Sequence, residues 1–225
     1  MRTGGSDASA KWLAAGSGAH YSGARFRGAR ARERDSACLV ALLERVRGPT
    51  RAGRLLDVPC GSGRLTRALA ERAELYLGVD VSRDMLQQAR PVFTELVERG
   101  ARACAVEADA RALPFPAGRF DVVVACRFLH HLHEESALRA AIAELTRVSS
   151  DVVIASFWDE RSLPGWRRKL GLKRAEGLLG RRATTRERIA ELFDEAGADV
   201  VAWRATLRYV AQQTFVAARV RRIRP

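Results

Sequence analysis

The sequence predicts an α/β fold, a mostly parallel sheet with helices on both faces that ends in an antiparallel hairpin. Three observations carry this. Strand-like and helix-like segments alternate from Arg54 onward, which is the pattern of a parallel sheet with crossover helices. The apolar runs Val122–Cys126 and Val152–Trp158 are short and rich in β-branched or aromatic residues, as strands buried on both faces are. The last two strand-like segments lie too close together for a crossover helix between them, so they must pair antiparallel.

The elements follow in order. Residues 1–18 are rich in Gly, Ser and Ala and are expected to be disordered. A polar, arginine-heavy stretch from His20 to Arg34 precedes a helix over Ala37–Val46, which Gly48-Pro49 ends. Residues 1–50 therefore read as a disordered terminus and helical cap, and residues 51–225 as the core. In the core, strands are expected at Arg54–Val58, Glu74–Asp80, Ala101–Glu107, Phe120–Cys126 and Asp151–Trp158. Helices are expected at Arg64–Arg72, at Arg83–Glu98 with a break or kink near Pro91, and at Glu134–Val148. A basic insertion at about 161–183 comes before a helix over Thr184–Ala196, capped by Thr184 or Thr185 and closed by Gly197. Val200–Leu207 and Tyr209–Val220 form the hairpin.

Composition narrows the function classes. With 225 residues, 47% of them hydrophobic, the chain can bury one sizeable core. No apolar run approaches the ~20 residues that span a bilayer. The weakly apolar start is broken by Gly16, Ser17 and Gly18, so no secretory leader is expected and a cytoplasmic location is. Cys38, Cys60, Cys104 and Cys126 form no CxxC pair, which argues against a disulfide framework or a zinc site. The net charge of +13 suggests a polyanion partner. Lysine occurs only at Lys11, Lys169 and Lys173, and such an arginine bias, with so much alanine, also follows from genome composition.

A glycine-rich turn, Pro59-Cys60-Gly61-Ser62-Gly63, joins the first core strand to its helix. Glycine there lets backbone approach a ligand closely, and the helix beyond presents unpaired N–H groups. Asp80 ends the next strand, where a carboxylate can accept from both hydroxyls of a ribose. Asp109 follows the third strand, where it can reach an adenine amino group. Three such features at the carboxyl ends of successive strands mark the switch point of an open sheet.

These residues resemble the class I S-adenosylmethionine-dependent methyltransferases, especially their small-molecule group. That family's first motif, D-x-G-x-G-x-G, is similar to Asp57-Val58-Pro59-Cys60-Gly61-Ser62-Gly63. Gly78-Val79-Asp80-Val81-Ser82 looks like its ribose-binding segment, and Met85 falls where the family packs a side chain on adenine. Ala108-Asp109-Ala110, Leu113-Pro114-Phe115 and Phe120-Asp121-Val122-Val123 are similar to its adenine loop and fourth strand, and Glu144–Val148 to its next helix. The likeness covers about Arg51 to Arg219. It implies a Rossmann-like doubly wound, seven-stranded sheet with a reversed final strand, and S-adenosyl-L-methionine as cofactor. The implied cofactor-binding set is Asp57, Pro59, Cys60, Gly61, Gly63, Asp80, Val81, Met85, Asp109, Ala110, Cys126 and Arg127, with Arg127 directed at the methionine carboxylate or the cofactor's backbone. Pro59 departs from the pattern, because it removes one backbone donor and fixes φ near −65°. A nicotinamide dinucleotide enzyme fits less well: G-x-G-x-x-G begun at Gly61 requires glycine where Thr66 stands.

Methyl transfer asks mainly for alignment of acceptor, methyl and sulfur. His130 and His131, in the loop after the fourth strand, are candidates for a base that positions the acceptor; the alternative is that they hold the next helix. H-H-x-H, ending at His133, lacks a supporting carboxylate pair, so no metal is expected. His20, Tyr21 and Arg25 form either a lid over the substrate or an exposed loop. Trp166 and the arginines around it form a cap helix over the substrate, or a surface for an anionic membrane or a phosphate-bearing acceptor. The expected function is methylation of a small-molecule or lipid-like acceptor by direct in-line transfer. Two alternatives remain. One is an RNA methyltransferase, although the chain has no appended RNA module and no Asn/Asp-Pro-Pro-Tyr motif. The other is a catalytically silent cofactor-binding protein. No DNA partner is expected.

Overall fold

A computed structural model describes residues 29–162, 182–206 and 213–221. The order is α1 (Ala29–Arg47), β1 (Ala52–Asp57), α2 (Thr66–Ala70), β2 (Ala73–Asp80), α3 (Arg83–Glu98), β3 (Arg102–Glu107) and β4 (Phe120–Ala125), then a 3-10 turn at Leu129–His131. It continues with α4 (Glu135–Val148), β5 (Ser149–Asp159), β6 (Ala183–Thr184), α5 (Arg186–Glu195), β7 (Ala198–Ala205) and β8 (Gln213–Val220). The main sheet runs β3-β2-β1-β4-β5-β8-β7, with β6 attached to β5. β3 through β5 are parallel, and β8 lies antiparallel between β5 and β7. This is the predicted doubly wound, seven-stranded sheet with a reversed final strand.

Alternation along the central strands builds a core on each face. Leu56, Val123, Val153 and Val216 face α4 and α5, against Leu138, Ile142, Leu145, Ile189 and Phe193. Leu55, Val122, Val124, Ile154 and Phe215 face the other way, against Leu39 and Leu42 of α1, Leu69 of α2 and Phe93 of α3. The same register places the carboxyl ends of β1 and β4 side by side, where the connections diverge to opposite faces.

Several boundaries differ from expectation. α1 begins at Ala29 rather than Ala37, since arginine and alanine both favour helix and the polar turn needs no burial to form it. α2 is shorter than predicted because the glycine-rich segment remains a turn through Leu65. α3 runs unbroken through Pro91. Pro91 and Gln87, whose carbonyl loses its helical partner to proline, both lie on the exposed side. The cap of α5 is Thr185, whose Oγ accepts from the N–H of Arg188 at 3.2 Å. The two-residue β6 was not foreseen, having no periodicity to reveal it. Cys104 is exposed on the edge strand β3, whereas Cys38, Cys60 and Cys126 are buried; all four are free thiols. The expected disorder of residues 1–18 lies outside the described residues.

Candidate functional site

An open cleft lies at the carboxyl ends of β1, β2 and β4, where ligands bind in open α/β sheets. Its floor is the glycine-rich turn. The chain leaves β1 through a cis Val58–Pro59 bond, and Gly61 and Gly63 then take φ of 57° and 78°, the left-handed region where glycine carries no Cβ penalty. The two glycines serve different ends. A Cβ on Gly61 would meet nothing within 4 Å, so this backbone faces open space in the cleft wall. A Cβ on Gly63 would fall 2.6 Å from Cγ1 of Val92, so this glycine lets the turn pack on α3. Gly78 of β2 has a similar task, since a Cβ there would lie 3.0 Å from the Cys60 sulfur.

Asp80 is fixed by the turn it serves. Its Oδ2 accepts from the Gly61 N–H at 2.9 Å and its Oδ1 from the Ser82 N–H at 2.9 Å. Burial pushes its pKa up, opposed by backbone N–H groups of Ser82, Gly61 and Val81. Each carboxylate oxygen has a second acceptor direction, so the two ribose hydroxyls would find a place. Below it, Asp57 is 1% exposed. Its Oδ2 accepts from the Tyr76 hydroxyl at 2.9 Å, while its Oδ1 has no partner. A buried carboxylate oxygen without a donor is costly, and this one belongs to a residue that lines the cleft. It fits the ammonium end of an amino-acid tail.

At the other end, Asp109 receives a forked contact from Arg111, with Nη2 to Oδ2 at 2.7 Å and Nε to Oδ1 at 3.1 Å. Glu144 and Arg147 of α4 pin this loop: Glu144 accepts from the Leu113 N–H at 2.7 Å, and Arg147 donates to the carbonyls of Leu113 and Phe115. Met85 is buried in the cleft wall, beside Val81 and Ala110.

Of the residues named from sequence, Asp57, Pro59, Cys60, Gly61, Asp80, Val81, Met85, Asp109, Ala110, Cys126, Arg127 and His131 line this cleft. Gly63 stands behind the wall, packed on α3. His130 turns away: it is buried and stacks on Trp158, with centroids 4.8 Å apart and planes 9° apart. His20, Tyr21, Arg25 and Trp166 lie outside the described residues. Burial pushes the thiols of Cys60 and Cys126 upward, so neither is a ready nucleophile. Among the described residues no cluster of His, Cys, Asp and Glu is placed to hold a metal ion, and no helix is long and apolar enough to cross a membrane.

Sequence reasoning missed Arg64, Arg111, Phe128 and Leu132 in the cleft wall. Arg64 and Arg111 stand beside the glycine turn and Asp109, so adjacency could have flagged them. Asp35 of α1 carried no such signal. It is 4% exposed and lies 3.0 Å from Nη1 of Arg64 and 3.3 Å from Nε of Arg127.

The strand order, the glycine turn and the acids after β2 and β3 together define a Rossmann-like fold of the methyltransferase type. Residues 55–151 match the methyltransferase domain family. The chain is 31% identical over 128 residues to the ubiquinone biosynthesis O-methyltransferase of Idiomarina loihiensis, covering 56% of this chain and 50% of that one. It is 35% identical over 102 residues to a ubiquinone/menaquinone biosynthesis C-methyltransferase of Burkholderia mallei, covering 43% and 39%. The magnesium protoporphyrin IX methyltransferase of Synechocystis, solved with bound S-adenosylhomocysteine, superposes with a TM-score of 0.69 at 20% identity, over 85% of each chain. The match over residues 55–151 is to a methyltransferase domain, and the superposition shows that the rest of the sheet shares the fold of such enzymes. The chain spans about half the length, or less, of the curated relatives it matches.

Proposed function

We propose that this chain binds S-adenosyl-L-methionine in the cleft between β1, β2 and β4 and transfers the methyl to a small-molecule or lipid-like acceptor. The observation that carries the reading is the carboxylate of Asp80, clamped by the N–H groups of Gly61 and Ser82 next to the unpartnered Oδ1 of Asp57. When bound, the cofactor supplies a methyl already activated on a sulfonium. Asp80 accepts from the ribose hydroxyls. Asp109 reaches the adenine amino group by sharing an oxygen with Arg111, and Met85 packs on the ring. Asp57 and Arg127 take the amino-acid tail. Leu65, Phe128 and Leu132 keep water from the transfer path. His131, at the cleft wall, is the residue placed to accept a proton from an acceptor hydroxyl or amine, while His130 supports the turn beneath it.

The names of the relatives, which refer to quinone biosynthesis and to a porphyrin, support a small molecule over a nucleic acid. The charge of +13 is an excess that pairing with acids does not cancel, and it keeps an RNA acceptor as the second reading. Among the described residues, Arg47, Arg67, Arg72, Arg83, Arg188 and Arg221 all pair with acidic side chains.

Calorimetry tests the cofactor part. S-adenosylhomocysteine should bind, and Asp80→Asn should weaken it about a hundredfold, as loss of two charge-assisted hydrogen bonds implies. No binding to the unaltered protein would end the proposal. Transfer from methyl-labelled cofactor into fractionated extract tests the acceptor: label in the small-molecule or lipid fraction supports the reading, and label confined to RNA overturns it.

A further inference from the structure

Arg127 is the one non-glycine residue with positive φ, 59°, among the described residues. A side chain is unfavourable there, so the surroundings must hold it, and they do. Its N–H donates to Oγ of Ser156 at 2.7 Å, and its Nε donates to Oε1 of Gln213 at 3.1 Å. The same Nε lies 3.3 Å from Oδ2 of Asp35. These contacts seize one edge of the guanidinium. The two Nη atoms on the opposite side have no protein partner among the described residues, and the side chain, 33% exposed, forms part of the cleft wall.

Arg64 is differently placed. Its Nη1 is held by Asp35 at 3.0 Å, its Nη2 contacts the sulfur of Cys126 at 3.4 Å, and its side chain is 11% exposed. One buried carboxylate therefore anchors two arginines, and only Arg127 presents a free fork. A guanidinium fork matches a carboxylate in a way a point charge does not. Across the glycine turn stands Asp57 with its unpartnered Oδ1. An acid and a fork in one end of one cleft suit the ammonium and carboxylate of a zwitterion.

We propose that Asp35 is a positioning residue. From α1, outside the residues that match the family, it works with Gln213 to aim the Nη atoms of Arg127 at the carboxylate of the cofactor's amino-acid tail. This rests on the reading that the cleft takes S-adenosylmethionine. α1 thereby contributes to ligand recognition as well as to the core.

Calorimetry with two probes separates this role from a structural one. S-adenosylhomocysteine carries the amino-acid tail; 5′-methylthioadenosine lacks it. Asp35→Asn should weaken the first about tenfold or more, as loss of a charge-assisted contact implies, and leave the second unchanged. Asp35→Glu should recover part of the loss, and Arg127→Lys should reproduce the split. Equal loss of both probes, or unchanged affinity for the first, overturns the proposal. Should Asp35→Asn not fold because Arg64 is left buried without its acid, Arg127→Lys and Gln213→Ala decide by the same criterion. Failure of the unaltered protein to bind either probe sinks the cofactor reading and this inference together. Binding of both without a split in the variants sinks the positioning role alone.

Discussion

The hydroxyl of Tyr76 donates to Oδ2 of Asp57 at 2.9 Å, and is itself 3.0 Å from Oγ1 of Thr66. This chain ties β2, β1 and α2 together beneath the glycine turn. It satisfies only one oxygen of the acid.

Burial pushes Asp57 up to about 7, against the Tyr76 hydrogen bond and Arg64, which pull it down. A folded-state pKa above the unfolded value means that folding favours the protonated form. That contribution to stability is complete below the unfolded value near 3.8 and is lost as pH rises through about 7. Relative to wild type, Asp57→Asn should therefore raise the melting temperature of the ligand-free protein at pH 8 and change it little at pH 4. The ammonium of the amino-acid tail favours the ionised acid, so S-adenosylhomocysteine affinity should rise with pH through 7 in wild type and be flat in the variant. Tyr76→Phe removes a downward influence and should move the inflection higher. Parallel pH profiles for wild type and Asp57→Asn would refute this account.

The two glycines of the turn should respond oppositely to alanine. Gly63→Ala combines a left-handed φ with a Cβ 2.6 Å from Val92. It should cost about 2 kcal/mol or more in denaturant unfolding. Gly61→Ala carries only the backbone penalty, about 1 kcal/mol, but places a methyl in the open cradle. Its larger effect should be on ligand affinity. If both variants lose stability equally and Gly61→Ala binds normally, the cradle is misassigned.

The adjacent histidines should separate in the same way. His130→Ala removes a buried ring stacked on Trp158, costing about 1–3 kcal/mol and altering tryptophan fluorescence. His131→Ala removes a ring that leans on His130, with centroids 4.3 Å apart, and should cost less in unfolding than His130→Ala. If His131 takes the acceptor's proton, its loss lowers kcat about a hundredfold. Full activity in His131→Ala would show that no such base is used.

Much of the architecture was legible because it depends on local periodicity. The runs Leu55-Leu56 and Val122–Val124 alternate between the two cores, and the hairpin followed from chain length alone. Asp80 and Asp109 were legible because strand ends are local features and the switch point aligns them. β6 was not, since two residues carry no period. The start of α1 was missed because its first turns contain no apolar stripe.

His130 and His131 are neighbours in sequence with the same chemistry and their rings lie 4.3 Å apart, yet only His131 lines the cleft, because the ring of His130 is buried against Trp158 of β5. Asp35, Arg127 and Gln213 are far apart in sequence and belong to a helix, a loop and a strand. The succession of strands and helices, the glycine turn and the two strand-end acids come from short-range pattern, which a sequence carries openly. The meeting of Asp35 and Gln213 on one guanidinium comes from long-range packing, in which α1 lies against β7 and β8, and no local spacing encodes it.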